Sequence, residues 1–479
     1  MSSNSTLTAL RGPALSFRDN PFLTDDAAAL HYEPDALILI RDGIIEQFGD
    51  YADLRPLLDG MEPAHYADSL IMPGFIDAHV HYPQTQIIGS YGAQLIDWLN
   101  TYTFVAEQQF KVLETARKVA TFFLEQTLAS GTTTATVYCT VHPASVEGFF
   151  QAAEHTGQRM IAGKVMMDRN APEALLDTAQ SSYDDSLALL DRWHGRGRLL
   201  YAITPRFAPT STPAQLEAAA ALWQARPDVW MQTHLSENPD ELEWVSALFP
   251  ERRSYVDVYR HYGLLGPRAL MGHAIHLQEA EWEMLAQADA SVIHCPASNA
   301  FLGSGCFDIR RACAPEAPAK ALRTALATDV GGGTSLSMLR IMGDAYRNSQ
   351  AAGMPLSAPK AFWLATAGAA RALHLDTRIG RIAAGLEADL VVLNLKSTPL
   401  IDFRMQHCDS LEEALFIQMT LADERAIEAV YIGGELRHSQ PANAGTEIAS
   451  TGSIGGHAGI SILRHNDRLR ASSKELNHD

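Results

Sequence analysis

The stretch that decides the fold is residues 73–84, which read Pro-Gly-Phe-Ile-Asp-Ala-His-Val-His-Tyr-Pro-Gln. Alternate residues of a β-strand face the same side, so His79 and His81 project together from the end of this apolar run. Two imidazoles on one side of a strand end can share a metal ion. Taken alone, the pair is better explained as two buried histidines bonded to backbone carbonyls, so any further ligands have to come from elsewhere in the chain.

Outward from this stretch, short apolar runs recur from about residue 67, and most of them are separated by segments with helical periodicity. The helical segments include 113–130, 214–225 and 279–288. This alternation predicts a distorted TIM (β/α)8 barrel, an α/β fold, rather than an open doubly wound sheet. No Gly-x-Gly-x-x-Gly motif follows the first strand, which argues against a dinucleotide fold. The predicted barrel strands are 71–80, 132–138, 160–167, 199–203, 229–233, 269–275, 291–294 and 325–328.

Short strands also lie at both ends of the chain, and together they predict one small β-sandwich that the barrel interrupts. The predicted elements are strands at 7–17, 36–40 and 44–49, a helix at 52–58, and strands at 379–382, 385–393, 427–432 and 435–436. The last forty or so residues are rich in Ser, Gly and Ala, so we expect them to be disordered. The predicted units are 1–67 and 378–440 for the two parts of the sandwich, 68–377 for the barrel, and 441–479 for the tail.

Composition restricts the partners and the compartment. The 479 residues are 47% hydrophobic and carry a net charge of −19, which argues against nucleic acid as a partner. The five cysteines form no Cys-x-x-Cys pair and suit reduced thiols. No signal-peptide pattern opens the chain, and no apolar run approaches the roughly 18 residues that span a bilayer. We therefore expect a cytoplasmic protein without a membrane partner.

Polar side chains stand at the ends of several predicted barrel strands, which is where a barrel of this kind places its active site. His234 follows the fifth strand, His273 lies on the sixth and Asp329 follows the eighth. Singly, His234 is better explained as a core histidine and Asp329 as a helix cap. Together with the His-x-His pair, they make a chance arrangement improbable. Three imidazoles and one carboxylate suit zinc or ferrous iron, with one position open for a water that the metal acidifies towards neutrality.

The chain resembles the amidohydrolase superfamily over nearly its whole length, and within it the branch that deaminates guanine. The tail beyond about residue 440 extends past the resemblance. The residues that carry it are 73–81, 166–170 (MMDRN), 204–210 (TPRFAPT), 233–238 (THLSEN) and 328–329.

This resemblance implies a homodimeric zinc enzyme that hydrolyses guanine to xanthine and ammonia, with one Zn²⁺ per subunit. The implied metal ligands are His79, His81, His234 and Asp329. The implied catalytic residues are Glu237, Asp329 and His273. The implied contacts to guanine are made by Gln84, Arg206, Phe207, Glu237, His273 and Asp329.

The chemistry of these residue types agrees with those roles. Glu237 stands three residues past a metal ligand, where it could protonate the ring and then help ammonia leave. The donors of Arg206 suit a purine carbonyl oxygen, although a surface ion pair would explain an isolated arginine. Phe207 could cover a base, or simply belong to the core. Gln84 can both donate and accept hydrogen bonds, and His273 could hold the reacting oxygen or be structural.

Several alternatives remain open. A binuclear site would need a carboxylated lysine, but Lys164 lies on the third predicted strand, not the fourth, and we interpret it as structural. The other zinc deaminase fold uses a Pro-Cys-x-x-Cys pair, and this chain has only Cys295 and Pro296 in that order. A related aminohydrolase acting on another purine, a pterin or a triazine is the nearest rival. A barrel that lost catalysis and serves as a scaffold is a remote one.

Overall fold

The structure, a computed structural model, describes residues 6–92, 94–314 and 320–440. The tail that we predict to be disordered, 441–479, lies outside the described residues. The described part contains one sheet built from both ends of the chain and one sheet built from its middle. Within it, no helix combines the length and the apolar character that crossing a membrane requires.

The N-terminal strands form a meander that ends at the barrel entrance. Strands β1 and β2 pair antiparallel, β2 and β3 do the same, and β5 runs parallel to β1. The predicted strands in this region are confirmed, and the predicted helix at 52–58 consists of α2 followed by a 3₁₀ turn, Arg55–Leu58. The bounds are β1 Leu7–Phe17, α1 Asp26–Ala29, β2 Leu30–Arg41, β3 Ile44–Asp50, α2 Tyr51–Leu54, β4 Ala64–His65 and β5 Ser69–Pro73.

The central sheet confirms the predicted barrel. Eight parallel strands follow in the order β14-β13-β12-β11-β10-β8-β7-β6, and the short β9 pairs with β10. The strands are β6 Phe75–His81, β7 Thr132–Tyr138, β8 Arg159–Gly163, β9 Val165–Met166, β10 Leu199–Pro205, β11 Trp230–Leu235, β12 Ala269–His273, β13 Ser291–His294 and β14 Arg323–Leu326.

Helices pack between and around these strands. The first two, α3 and α4, are joined by a π-helical turn, Leu99–Thr103. The remaining bounds are α3 Leu95–Trp98, α4 Phe104–Glu107, α5 Leu113–Ala129, α6 Pro143–Thr156, α7 Ala179–Trp193, α8 Pro213–Ala225, α9 Pro239–Leu248, α10 Tyr255–His261, α11 Glu279–Gln287, α12 Pro296–Phe301, α13 Ile309–Cys313, α14 Met338–Ala351, α15 Ala358–Leu364 and α16 Ala367–Ala372.

The ring closes between its first and last strands at their carboxyl ends. The Asp329 N–H donates to the His79 carbonyl at 2.9 Å, and the His81 N–H donates to the Val330 carbonyl at 2.9 Å. The buried Asp77 carboxylate accepts from both the N–H and the hydroxyl of Thr328. These bonds hold the end of β6 against the residues that follow β14, so side chains from both strand ends share one place.

The C-terminal strands complete the outer sheet, as predicted. Strand β15 pairs antiparallel with β5, and β16 and β17 follow it. The sheet then folds back on itself, because Ile45 N–H donates to the Leu386 carbonyl and Ala388 N–H to the Gly43 carbonyl, both at 2.8 Å. This curled sheet encloses an apolar core and gives the sandwich-like unit. The bounds are β15 Leu390–Asn394, α17 Pro399–Met405, α18 Leu411–Leu421, β16 Ile427–Ile432 and β17 Glu435–Ser439.

Four predicted strands differ from the structure, and one of them, 385–393, is a strand only from Leu390 onwards. The run 71–80 is not one strand, because it breaks at Gly74 between β5 in the outer sheet and β6 in the barrel. A Cβ at Gly74 would lie 2.3 Å from the Thr133 side chain, so the crossing point needs glycine. The run 160–167 breaks at Lys164, which is buried and pairs with Asp177. The segment 379–382 forms no strand.

An ion network joins the barrel to the segment that precedes β15. The Glu387 carboxylate accepts from Arg159 at 2.5 Å, from Arg198 at 3.0 Å and from Arg378 at 2.9 Å. The Arg159 side chain is 1% exposed, so it has little access to water as an alternative partner.

We expect Glu387→Gln to destabilise the protein, because it leaves the buried Arg159 charge uncompensated. Breaking a buried pair of this kind costs about 3 kcal/mol, which corresponds to a fall of roughly 5 °C in Tm. Differential scanning calorimetry measures the effect. The matched control is Glu154→Gln, which removes an exposed pair with Arg196 and should leave Tm within about 1 °C. Equal Tm values for the two variants would contradict the prediction.

Candidate active site

The carboxyl ends of three barrel strands bring together the four residues predicted as metal ligands. His79 and His81 end β6, His234 lies near the end of β11, and Asp329 follows β14. The Nε2 atom of His81 lies 3.2 Å from the Nε2 atoms of both His79 and His234. The Asp329 Oδ1 atom lies 3.3 Å from Nε2 of His79 and of His81. His79, His81 and Asp329 are almost fully buried, and His234 is partly buried.

The donor set fits one divalent metal ion. The four ligand atoms lie within 4.8 Å of one another. Zinc binds imidazole nitrogen at about 2.0–2.1 Å, so a tetrahedral site has ligand atoms about 3.3 Å apart, close to the distances here. Burial lowers the pKa of His81 to about 3 and holds the pKa of His234 well below its usual value. Both imidazoles therefore stay neutral and keep a lone pair for a metal.

Neighbouring carbonyl groups set the tautomers of two histidines. His234 donates its Nδ1 hydrogen to the Arg206 carbonyl at 2.7 Å, which leaves Nε2 as a lone pair facing the metal ligands. His273 donates its Nδ1 hydrogen to the Asn299 side-chain oxygen at 2.9 Å. The Nε2 atom of His273 then faces the same centre, 3.7 Å from Asp329 Oδ2.

Glu237 lies beside this cluster in a state suited to proton transfer. Its Oε2 atom lies 3.4 Å from His273 Nε2, and its Oε1 atom accepts a hydrogen bond from the Ser304 hydroxyl at 3.2 Å. Burial, together with the nearby charge of Asp329, raises the pKa of Glu237 to about 8. The carboxyl group is therefore largely protonated at neutral pH and can act as an acid.

The backbone at two of these positions is unusual. His273 has φ 68° and Asp329 has φ 48°, both in the left-handed region that side chains other than glycine seldom adopt. Such conformations persist where the surrounding structure imposes them, and they cluster at functional sites. Here they occur at the end of β12 and just after β14, where the two side chains face one another with His273 Nε2 3.7 Å from Asp329 Oδ2.

A cavity opens from the metal ligands and has a volume of about 420 Å³ including its mouth. All six residues predicted to contact the substrate line it: Gln84, Arg206, Phe207, Glu237, His273 and Asp329. Four apolar side chains complete the wall: Leu95, Trp98, Leu99 and Leu302. The structure thus gathers the predicted substrate contacts into one space with three of the metal ligands, His81, His234 and Asp329. A flat ligand would contact polar groups at its edges and apolar groups on its faces.

Besides Ser304 and Asn299, which bond to Glu237 and His273, Glu107 is a polar residue of this region that the sequence did not predict. It ends α4, is completely buried, and accepts hydrogen bonds from Arg206 and Gln84. No strand end or motif marks it. The signal available in the sequence was a single acidic residue in the largely apolar stretch Phe104–Glu107, and that signal is weak.

A class of protein is defined by three features together: the eight-stranded barrel, the outer sheet, and the cluster of His79, His81, His234 and Asp329. The chain belongs to the amidohydrolase family, whose profile matches residues 70–437. Within this family it groups with the guanine deaminases. It is 47% identical over 440 residues to guanine deaminase from Escherichia coli strain K12, an alignment that covers 91% of this chain and 99% of the relative.

Solved structures agree with this grouping. The E. coli guanine deaminase structure matches 91% of this chain and 100% of its own, with 45% identity and a TM-score of 0.87. A guanine deaminase structure from C. acetobutylicum, with guanine bound in its active site, matches 90% of this chain and 100% of its own. Its sequence identity is 26% and its TM-score is 0.81.

Proposed function

We propose that this protein hydrolyses guanine to xanthine and ammonia with one zinc ion per subunit. The observation that carries the proposal is the layout of one cavity. Three of the four metal ligands line this cavity together with the proton donor and the two hydrogen-bonding side chains: His81, His234, Asp329, Glu237, Arg206 and Gln84. Guanine is a flat base with a reacting amino group on one side and a carbonyl oxygen on another, so it suits this layout.

The metal ligands are His79, His81, His234 and Asp329. Three neutral imidazoles and a carboxylate are a donor set that zinc accepts while keeping a position open. A divalent ion bound there supplies an acidified water at neutral pH.

The residues around that position handle the protons. Asp329 presents its Oδ2 atom towards His273 and can accept a proton from the attacking water. Glu237, protonated at neutral pH, can donate to ring N3 as the C2–O bond forms. Once deprotonated, it can take up the proton held by Asp329 and pass it to the amine as the C2–N bond breaks. The proton of the new C2 hydroxyl group then returns Glu237 to its acid form as the carbonyl of xanthine forms. His273 holds the oxygen through the Nε2 atom that faces the centre.

The cavity wall holds the base in place. Arg206 offers guanidinium N–H donors to the carbonyl oxygen at C6. Gln84 can donate to and accept from the adjacent edge. Phe207 is 5% exposed and contacts the rings of Trp244 and His234 edge-on, at 6.1 and 6.4 Å between centroids. It can therefore cover one face of the base without moving.

We expect Phe207→Ala to weaken guanine binding, because it removes a rigid ring that covers the base. The loss of one aromatic contact should raise KM roughly tenfold, with a smaller change in kcat. Steady-state kinetics measures both constants. The control Phe207→Tyr keeps the ring and should keep KM. An unchanged KM in the alanine variant would show that Phe207 belongs only to the core.

We expect kcat/KM for guanine to fall as the pH rises through about 8, because the pKa of Glu237 is raised to about 8 and only its protonated form can donate to the ring. Below that pH the acid is present, and above it the rate should fall about tenfold per pH unit. A profile between pH 7 and 9 measures this. The residual activity of Glu237→Gln serves as the control and should lack this limb. A flat wild-type profile would contradict the assignment.

One assay tests the function itself. Ammonia release is measured from guanine, adenine, cytosine and 8-oxoguanine, together with a pterin and a triazine, while zinc content is determined on the same sample. We expect turnover of guanine to exceed that of the other compounds. Turnover of another heterocycle alone would favour a related aminohydrolase. No turnover of any compound by zinc-replete protein would favour a scaffold.

The homodimer, the cytoplasmic location and the unit boundaries 1–67, 68–377 and 378–440 remain predictions. All five cysteines are free thiols, which supports the predicted compartment. Light scattering on the purified protein measures the oligomeric state, and a monomer would contradict the predicted dimer.

A further inference from the structure

Glu107 is a buried acid with no part in the reaction described above. Its exposed fraction is 0%, and it lies outside the metal cluster. A carboxylate in such a place needs strong partners, because the loss of its hydration costs several kcal/mol. Glu107 has two partners, and both of them line the substrate cavity.

The first partner is Arg206. Its Nη1 atom lies 3.0 Å from Glu107 Oε1 and 2.8 Å from Oε2, so both oxygens hold the same nitrogen. The guanidinium carbon lies 5.5 Å from the ring centre of Phe104, three residues earlier on the same helix. Helix α4 thus holds Arg206 through the Glu107 carboxylate and through the ring of Phe104. Within the described residues, the Nε and Nη2 groups make no hydrogen bond, so they are available to a ligand.

The second partner is Gln84. Its Nε2 atom donates to Glu107 Oε1 at 3.1 Å, and its Oε1 atom accepts from the Gly331 N–H at 3.1 Å. These two bonds fix which end of the amide is the donor. One N–H and one lone pair of Gln84 then remain for a ligand. Its exposed fraction is 2%, so the side chain has little contact with bulk water.

The pairing also sets the charge of this wall. The Glu107 carboxylate balances the Arg206 guanidinium, so an uncharged ligand meets no net charge. Although its charge is balanced, Arg206 still presents N–H donors to the ligand. A carbonyl oxygen at C6 accepts from these donors, whereas an amino group there would place N–H against N–H. A site built to donate in this way rejects a ligand that cannot accept.

We infer that Glu107 is a positioning residue that makes the site selective for a 6-oxo over a 6-amino purine. It acts by holding Arg206 and Gln84 in fixed orientations. This inference rests on the proposed function, since it concerns the ring edge away from the reacting C2.

The test compares guanine with 2,6-diaminopurine, because both carry the 2-amino group and they differ at C6. In Glu107→Gln the carboxylate charge is lost and Arg206 is free to turn. We expect KM for guanine to rise about tenfold or more, with kcat changed by less than about threefold. The preference for guanine over 2,6-diaminopurine, as a ratio of kcat/KM values, should fall about tenfold. Glu107→Asp keeps the charge on a shorter side chain. Its KM and its preference for guanine should lie between those of the wild type and those of Glu107→Gln.

A double-mutant cycle with Arg206→Gln shows whether Glu107 acts through Arg206. In that background, Glu107→Gln should change KM by less than about twofold. The double variant removes both charges and leaves neither unpaired, and Glu107→Asp, which keeps the charge, takes the place of the single variant in the cycle if Glu107→Gln does not fold. The matched control is Glu147→Gln, which breaks a 3.0 Å pair with Arg192 outside the cavity and should leave the kinetics unchanged. Zinc content and Tm are measured for each variant.

The outcomes separate the two claims. No guanine turnover by the wild-type protein would overturn the proposed function, whatever the variants do. Normal wild-type turnover with an unchanged KM and an unchanged preference in Glu107→Gln would overturn the role of Glu107 alone. Equal effects of Glu107→Gln with and without Arg206 would also overturn it, because the residue would then act by another route.

Discussion

Replacing Glu237 with glutamine is expected to lower kcat for guanine by about 10²- to 10⁴-fold, the range that a positioned acid or base contributes. Glutamine has nearly the same shape and can still accept from the Ser304 hydroxyl, so the site should stay intact. What it cannot do is give up a proton and take it back. Because Glu237 has a pKa raised to about 8, the wild-type side chain holds that proton at neutral pH.

The measurement is xanthine formation under steady-state conditions, with zinc content determined in parallel. Zinc content should match the wild-type value, since Glu237 is not among the four ligands. A variant that keeps more than about a tenth of the wild-type kcat with full metal occupancy would contradict the assigned role.

Glu241 offers a matched control one turn further along the chain. It is also buried, burial raises its pKa to about 7, and it accepts hydrogen bonds from the Glu237 N–H at 2.8 Å and the Tyr255 hydroxyl at 2.7 Å. Glu241→Gln makes the same chemical change without touching the cavity. We expect its kcat to stay within about fivefold of wild type, because the amide oxygen can still accept from the backbone. A collapse of activity in both variants would point to misfolding rather than to lost proton transfer.

The metal site was predictable from the sequence because a parallel barrel brings distant strand ends to one face. His79, His234 and Asp329 are far apart in the chain, yet each follows an apolar run that the structure confirms as a barrel strand. The rule needs only strand positions and residue types. The roles of the individual residues need distances, and these came only with the structure.

The strand break at Gly74 and the role of Glu107 could not be predicted from the sequence, for physical reasons. The run 71–80 contains Pro73-Gly74, a dipeptide typical of turns, but β5 and β6 are buried at every position, so the run still resembles one buried strand. What the local pattern does not encode is that the two halves join different sheets, or that Gly74 packs too closely against Thr133 to carry a side chain. Glu107 pairs with Arg206 across 99 residues and sits on a helix rather than at a strand end. The role of Glu107 is therefore evident only from its contacts in the folded protein.

Removing the metal is the second change with a large expected effect. Dialysis against a chelator should abolish guanine turnover, at least about 10³-fold, because the acidified water disappears with the ion. It should also lower Tm, because a ligand that binds the folded chain more tightly than the unfolded chain stabilises it. Adding Zn²⁺ should restore both activity and Tm, and an Fe²⁺ arm tests the other ion that this donor set accepts.

The structure explains why the coupling between metal and stability should be strong. Three imidazole nitrogens and a carboxylate oxygen lie 3.2–3.3 Å from their nearest neighbours in this group, and His79, His81 and Asp329 have almost no access to water. Burial keeps the pKa of His81 near 3, so protonation at neutral pH does not relieve the crowding of lone pairs. A cation at the centre removes this repulsion, and it thereby stabilises the closure of the barrel at Asp329.

Two variants separate metal binding from general damage to the barrel. Asp329→Ala deletes one ligand, and we expect it to lose both zinc and activity. His294→Gln changes another buried histidine, at the end of β13, whose pKa is also lowered to about 3 but which lies outside the metal group. This control should keep its zinc. Full zinc content in Asp329→Ala, or a chelated protein with wild-type turnover, would refute the ligand assignment, since the geometry leaves no other donor set of three imidazoles and a carboxylate among the described residues.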